Sequence, residues 1–261
     1  MIIINRAYFF MEISLVPELI TTVFGFPITN SVLTTIIVSA IIILASLYLQ
    51  KNLSKKPKGF QNIVEAILEA LLNLADSVTG NREQSKKFFP YVATIFIFVI
   101  VSNWIGLIPA LIPGGSLGVN QIHHGEEVLV PFIRSGSADL NMTLSLALIS
   151  VITAQIMGIA MIGGKHYVGK FLVSPFKKPY FIGTFVGILE IISEFAKVVS
   201  FSFRLFGNVF AGEVLLTVML MLVPYVAPLP FLFLEIFVGF IQALVFAMLT
   251  LVFFKMASEA H

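Results

Sequence analysis

A permanent positive charge lies within a long apolar stretch of this sequence, in the segment FSFRLFGNVFAGE (201–213). The charge belongs to Arg204, which is followed by the amide Asn208 and then by the carboxylate Glu213. A guanidinium cannot relay protons, but its field stabilises the ionised form of a nearby carboxylic acid. Because a charge at the centre of a membrane helix costs roughly 2.5–3.5 kcal/mol, its presence in an apolar segment indicates a function.

Other polar side chains share one face of a helix with Arg204. At 100° per residue, this stripe contains Glu190, Glu194, Lys197, Ser200, Arg204 and Asn208. Glu213 falls about 180° from Arg204, so it faces a different neighbour. The stripe indicates ion passage, with Arg204 as a fixed barrier between two polar paths. For Glu194 and Lys197, a salt bridge that only stabilises the bundle is the alternative.

A second apolar segment follows PYVAPLP (224–230) and carries Glu235 and Gln242 on one helical face. In an antiparallel helical hairpin, facing residues have a nearly constant sum of residue numbers. The pair Arg204 and Gln242 and the pair Glu213 and Glu235 have nearly equal sums. We therefore expect Gln242 at the depth of Arg204, and both carboxylates ~10–14 Å further along the helices.

The composition is that of a membrane protein. Of the 261 residues, 58% are hydrophobic and only 11% are charged, unlike a soluble globular domain. Long apolar runs without alternation favour helices over a β-barrel. The net charge of +2 argues against nucleic-acid binding, and without cysteine there are no disulfides or thiolate metal sites. The N-terminus lacks the pattern of a cleaved signal peptide, so we expect it to be retained.

These patterns predict an all-α integral membrane protein, folded as a single membrane domain over residues 1–261. It has five transmembrane helices, at about 28–49, 88–112, 139–164, 180–223 and 229–254. The fourth would be ~66 Å long as one helix, about twice the hydrocarbon thickness, so it must be strongly tilted or broken. The last two are expected to form a long, tilted antiparallel hairpin. Residues 60–78 segregate apolar and polar side chains, which predicts an amphipathic helix on the membrane surface.

The distribution of Lys and Arg predicts the orientation of the chain. Twelve of these residues lie in 51–58, 82–87 and 165–178 and at Lys255. The segments predicted on the opposite side of the membrane contain Arg6 and Arg134. Because cytoplasmic loops carry the excess of basic residues, we expect the N-terminus outside and the C-terminus inside.

Several motifs resemble subunit a of the F-type ATP synthases. They are FPITN (26–30), FFPYVATIFIFVIVSNWIGLIP (88–109), SADLNMTLSLAL (137–148), SFSFRLFGNVFAGE (200–213) and EIFVGFIQALVFAMLTLVFFKMASEAH (235–261). The resemblance covers nearly all of the chain beyond residue 25. Only the first 25 residues and the loop 113–136 carry no recognisable pattern.

The resemblance implies roles for the polar residues. Arg204 would be the essential arginine that faces a rotating c-ring, with Asn208 and Ser200 on the same surface and Gln242 beside it. Glu213 and Glu235 would line an outer half-channel whose mouth contains Asp139 and Asn141. Glu190 would line an inner half-channel, with Glu194 and Lys197 as its neighbours.

The implied function is that of a stator subunit whose two offset half-channels carry protons to and from carboxylates of the c-ring. The implied partners are the c-ring, peripheral-stalk b subunits and the lipid bilayer of a bacterial plasma (inner) membrane. The implied ion is H⁺, with Na⁺ as the alternative. Any enzymatic activity would belong to the complex, since we expect no catalytic site and no cofactor on this chain.

Two local patterns point elsewhere but are rejected. GKHYVGKF (164–171) has the spacing of a phosphate-binding loop, yet Phe171 replaces the required Ser or Thr, so no direct ATP binding is expected. His123 and His124 lie in a polar loop without a third ligand at helical spacing, so metal binding is not expected.

Two other functions remain alternatives. A self-contained proton or cation transporter would need an internal pair of inverted halves or broken helices around a central site, and no internal repeat supports it. A purely structural membrane anchor would use its charges only to hold partner subunits.

Overall fold

The computed structural model describes residues 16–23, 25–111, 118–123, 126–164, 182–223 and 226–258. Over these ranges the helices are α1 (Asn30–Lys51), α2 (Phe60–Thr79), α3 (Arg82–Gly106), α4 (Ile108–Leu111), α5 (Leu140–Ile162), α6 (Ile182–Leu222) and α7 (Pro228–Ser258). A 3-10 turn, Gly136–Ala138, precedes α5. Among the described residues, five helices are long and apolar enough to cross a membrane: α1, α3, α5, α6 and α7. The predicted five spans and the amphipathic helix α2 are confirmed.

Polar side chains and one glycine set the ends of these helices. The Thr29 hydroxyl accepts from Val32 N and caps α1. Gly80 ends α2 in the left-handed conformation, at φ 70°, which glycine adopts without steric cost. The side chain of Asn81 accepts from Glu83 N at 2.9 Å at the start of α3. Such caps satisfy backbone groups that a helix end leaves without partners.

The second span, predicted at about 88–112, corresponds to a helix that begins and ends earlier, at Arg82–Gly106. The helix begins at Arg82 because the Asn81 cap starts it before the apolar run begins. It ends at Gly106 because Leu107 N turns back to Trp104 O, and the short helix α4 follows. Hydropathy located the apolar part of this helix, whereas local hydrogen bonds determine its ends.

Two antiparallel β-hairpins were not predicted. Strand β1 (Leu19–Val23) pairs with β2 (Phe26–Thr29), and β3 (Gly118–His123) pairs with β4 (Glu126–Pro131). The second hairpin lies in the segment that was expected to be a loop, and His123 pairs with Glu126. His124 lies outside the described residues. Within the described ranges, no three His, Asp or Glu side chains cluster in a way that could hold a metal ion.

Helix α6 is continuous over its 41 residues, so it is about 60 Å long. Of the two predicted possibilities, a break is therefore wrong over Ile182–Leu222. A helix of this length fits ~30 Å of hydrocarbon only when it is strongly tilted.

The chain divides into two compact units. The first comprises the described residues up to Ser54, together with Phe96–Thr143 and Leu205–Leu244. Its core includes Val38, Phe96, Val99, Leu205, Leu216 and Leu232. The second comprises Lys55–Ile95, Leu144–Arg204 and the residues from Val245 onward. Its core includes Leu71, Phe88, Val92, Phe201, Phe246 and Phe254. The single membrane domain expected from the sequence stays a prediction.

Helices α6 and α7 run antiparallel, as predicted. In the first unit, the Glu235 carboxyl group lies directly against Gly212, where no side chain intervenes. In the second unit, Phe201 stacks on Phe246 with ring centroids 4.0 Å apart. The residue numbers of these two pairs have the same sum, so the same register holds in each unit. Their sum lies between the sum for the predicted pair Arg204 and Gln242 and the sum for the predicted pair Glu213 and Glu235.

Candidate functional site

Arg204 projects from α6 with an exposed side chain, meaning one that its own chain does not cover. Among the described residues, no hydrogen bond or ion pair reaches its guanidinium. Ser200 and Asn208, one turn before and one turn after, are also exposed. These side chains lie on one face of the helix. Among the described residues, Arg204 is therefore a cation without an ion-pair partner on the exposed face of an apolar helix.

Gln242 lies on α7 and is partly buried. It belongs to the first unit, as does Asn208, whereas Arg204 is the last residue of its segment in the second unit. The expected pairing of Arg204 with Gln242 stays a prediction.

The carboxylate of Glu213 is paired with a buried cation, Arg134. Arg134 Nε lies 3.1 Å from both Glu213 Oε1 and Glu213 Oε2. The Arg134 side chain is 6% exposed and that of Glu213 is 34% exposed. This ion pair agrees with the expectation that Glu213 faces away from Arg204.

Sequence reasoning missed the role of Arg134. The residue lies in the segment 113–136, which has no recognisable pattern, and it was counted only as an outer basic residue. The available signal was its isolation: in the segments predicted to lie outside the membrane, the basic residues are Arg6 and Arg134. An isolated arginine near a predicted carboxylate site could have been tested as its counter-ion.

Arg134 is held in place by the backbone around it. Its own N–H donates to Thr34 Oγ1 on α1 at 3.2 Å, and its Nη1 donates to Val16 O at 3.3 Å. A Cβ atom on Gly106 of α3 would lie 2.7 Å from Ser135 Cα. The absence of a side chain at Gly106 therefore lets Ser135, the residue after Arg134, pack against α3. The segment that carries the arginine therefore lies wedged against α1 and α3.

Glu235 has a different environment. Its side chain is buried, 9% exposed, and its carboxyl group occupies the space beside Gly212. Within the described part of the chain, no hydrogen bond or ion pair reaches this carboxyl group. Two carboxylates from facing helices thus lie in one region, one paired with a cation and the other not.

Asp139, expected at the mouth of the outer path, makes two structural contacts. Its Oδ1 accepts from Asn141 N at 2.9 Å at the start of α5, and its Oδ2 accepts from Ser31 Oγ on α1 at 2.8 Å. The carboxylate is 5% exposed, whereas Asn141 is exposed. The contact of Asp139 with Asn141 N caps α5. The channel role of both residues stays a prediction.

The expected inner residues lie along the first half of α6. Lys197 Nζ lies 2.6 Å from Glu194 Oε1 and 5.3 Å from the centre of the Phe253 ring. The salt bridge considered as the alternative for Glu194 and Lys197 is therefore present. Glu190, one turn earlier, is partly buried. A small cavity adjoins the ion pair and is lined by Val151, Gln155, Glu194, Lys197, Phe253 and Met256.

Comparison with known proteins identifies the family. The family model described as ATP synthase A chain matches residues 32–255. The chain belongs to this family. It is 34% identical to the ATP synthase subunit a of Campylobacter jejuni (strain RM1221) over 228 residues, which are 86% of this chain and 89% of the relative. It is 34% identical to the chloroplastic ATP synthase subunit a of Stigeoclonium helveticum over 261 residues, which are 100% of this chain and 97% of the relative.

Membership of the ATP synthase A chain family agrees with the architecture of a multi-pass membrane protein. The matched range begins within α1 and ends within α7, so it includes α3, α5 and α6 and most of α1 and α7. It also includes every predicted site residue and the missed cation Arg134. The carbonyl of Val16, which accepts from Arg134, lies before the matched range.

Proposed function

We propose that this chain is the stator subunit of the membrane sector of a rotary ATP synthase, where it provides two offset aqueous half-channels for protons. Family membership supports this role. The observation that carries it is the exposed guanidinium of Arg204, which has no partner within the described chain. A charge in an apolar span is costly, and we infer that a group on another subunit compensates it. A carboxylate of a rotating c-ring is such a group.

The mechanism follows from the chemistry of the arginine. A proton from the outer half-channel, lined by Glu213 and Glu235, neutralises a ring carboxylate, which then moves through lipid uncharged. When that acid approaches Arg204, the field of the guanidinium favours the ionised form and the proton leaves. The inner half-channel, lined by Glu190, receives it. A membrane potential adds about 2.3 kcal/mol per charge per 100 mV, which biases the direction of rotation.

The remaining partners and the location are part of the same proposal. Peripheral-stalk b subunits and lipid surround the chain in a bacterial plasma membrane, with the N-terminus outside and the C-terminus inside. The ion is H⁺, with Na⁺ as the alternative that depends on the ring. The amphipathic helix α2 exposes Phe60, Ile63 and Ile67, which suits a helix lying on the bilayer surface. ATP is not bound by this chain.

The test is the substitution Arg204→Lys, assayed as ATP-driven proton pumping in inverted membrane vesicles. Lysine keeps the charge but concentrates it in a compact ammonium group with a different hydrogen-bonding geometry. We expect pumping per assembled complex to fall at least about tenfold. The control is Arg82→Lys, at an exposed ion pair with Asp76, where pumping should change by less than about twofold. If Arg204→Lys pumped normally, the chain would be a structural anchor instead.

A further inference from the structure

We propose that Arg134 is a positioning residue of the outer half-channel: it holds Glu213 as a fixed anion, so that Glu235 is the carboxylate that takes up and passes on the proton. This inference rests on the proposed function and deepens it. It assigns different tasks to two acidic residues that occupy one region of the site, and it assigns a task to a cation that the mechanism above does not use.

The geometry of the ion pair is the first support. One donor, Arg134 Nε, lies 3.1 Å from both oxygens of Glu213, so the carboxylate as a whole faces the guanidinium. The Arg134 side chain is buried, at 6% exposed. Protonation of Glu213 would leave a buried cation without its counter-charge, which is strongly unfavourable. The arginine therefore opposes proton uptake at Glu213.

The second support is that Arg134 has little freedom to move away from Glu213. Its N–H is bonded to Thr34 Oγ1, its Nη1 to Val16 O, and the next residue packs against Gly106. These contacts come from separate segments of the first unit. The guanidinium is thus a fixed charge and not a side chain that swings with each proton.

The third support is the contrast with Glu235. Its carboxyl group lies beside Gly212, the residue that precedes Glu213 in α6, and no described cation is paired with it. A carboxylate, Glu18, also acts on Glu213, and a group of like charge cannot serve as its counter-ion. Glu235 can therefore bind a proton without breaking an ion pair.

This division predicts a charge-balance relation between the two paired residues. Loss of Arg134 alone would allow Glu213 to bind protons. Loss of Glu213 alone would leave a buried cation that repels protons from the outer path. Loss of both would remove two opposite charges together, and the route through Glu235 would be left intact.

The experiment measures ATP-driven proton pumping per assembled complex in inverted vesicles, with the intact complex throughout. Arg134→Gln and Glu213→Gln are each expected to lower pumping at least about tenfold. The double variant should return to within about threefold of the unsubstituted protein, because the coupling is between the two partners. Arg134→Lys, which keeps the charge, should also stay within about threefold. Glu235→Gln should be inactive in both the unsubstituted and the double-variant background.

The pH dependence of pumping separates this role from a structural one. The double variant and the unsubstituted protein should share one pH profile, since the proton-carrying group is Glu235 in both. In Arg134→Gln the profile should change, because Glu213 becomes a second proton-binding group. If Arg134→Gln does not assemble, Arg134→Lys takes its place: an unchanged profile supports the proposal and a shifted one contradicts it.

Three results would overturn the inference. An inactive double variant would mean that Glu213 itself carries the proton. Normal pumping per complex in Arg134→Gln, with or without a reduced amount of complex, would mean that the arginine has at most a structural role. An active Glu235→Gln would exclude Glu235 as the carrier. Arg204→Lys is assayed in parallel: its normal pumping would refute the proposed function, whereas its inactivity beside a normal Arg134→Gln would refute only the present inference.

Discussion

At three positions in the first unit, a Cβ atom added to a glycine would overlap atoms of another segment. Gly106 contacts Ser135, Gly136 contacts Thr35 and Ser102, and Gly212 contacts the carboxyl group of Glu235. The first two fix the segment that carries Arg134. The third lies at the proposed proton-carrying group, because the Glu235 carboxyl group occupies the space that a side chain on Gly212 would fill.

We expect Gly212→Ala to impair proton pumping while the chain still folds. The new methyl group would overlap the Glu235 carboxyl group, which is the movable end of a side chain, so the carboxyl group shifts and the helices do not. Alanine also favours the helix by up to ~1 kcal/mol. A misplaced proton-carrying group should lower pumping about tenfold or more. Adding Glu235→Asp shortens the acid and should recover part of the rate, whereas full activity of Gly212→Ala would contradict this explanation.

Substitutions of Asp139 distinguish a structural role of this residue from a role in proton conduction. We expect Asp139→Ala to lower the free energy of unfolding in detergent by about 2–4 kcal/mol, because it removes both the cap of α5 and the acceptor for Ser31. Asp139→Asn keeps one carbonyl oxygen and should cost less. Urea or thermal unfolding followed by circular dichroism measures both. Unchanged stability with reduced pumping would instead favour a role only at the channel mouth.

Among the elements, α3 holds the part of α7 between Glu235 and Gln242. Trp104 Nε1 donates to Ile236 O at 3.1 Å, and Asn103 Nδ2 donates to Gly239 O at 3.2 Å. Side chains of one helix thus bond to backbone carbonyls of the other. A Cβ atom on Gly239 would lie 3.3 Å from Asn103 Cβ, so the two helices are in close contact here.

The two donors are expected to differ in strength. Asn103 is buried and Trp104 is exposed, so removal of the buried donor leaves a carbonyl that water cannot reach. We expect Asn103→Ala to lower the free energy of unfolding by about 1–3 kcal/mol and Trp104→Phe by about 1 kcal/mol or less. Denaturant titration of both purified variants measures the order. A larger loss for Trp104→Phe would show that the indole ring, and not the hydrogen bonds, secures α7.

The long apolar helices could be predicted from the sequence, because the pattern that specifies each of them lies within one continuous segment. An apolar run sufficient to cross a bilayer specifies a helix, and a constant sum of residue numbers relates α6 to α7 before any contact is known. The start of α3 at Arg82 depends on one side chain, Asn81, so hydropathy missed it. The short β-hairpins lack a distinct periodicity. The pair of Arg134 and Glu213 joins residues far apart in sequence, and no pattern in either segment specifies the other.

At the scale of the whole molecule, the proposed five crossings would place the two ends of the chain on opposite sides of the membrane. The positions of the basic residues predict which end of the chain is cytoplasmic. They lie between α1 and α2, at the start of α3, in residues 165–178 and near the end of α7. The β-hairpins adjoin the other ends of the spans, where Arg134 is used in an ion pair. In the proposed orientation the basic loops are cytoplasmic, so both hairpins would lie outside.

Because the sequence contains no cysteine, a single introduced cysteine reports the side of the membrane without background. Thr22 in β1 and Lys56 after α1 are both exposed, and one span separates them. On intact cells, a membrane-impermeant maleimide should label Thr22→Cys and not Lys56→Cys, and in inverted vesicles the order should reverse. The unsubstituted chain is the control and should not be labelled at all. If Lys56→Cys reacted on intact cells, the proposed orientation would be inverted, and the carboxylates assigned to the outer half-channel would open toward the cytoplasm instead.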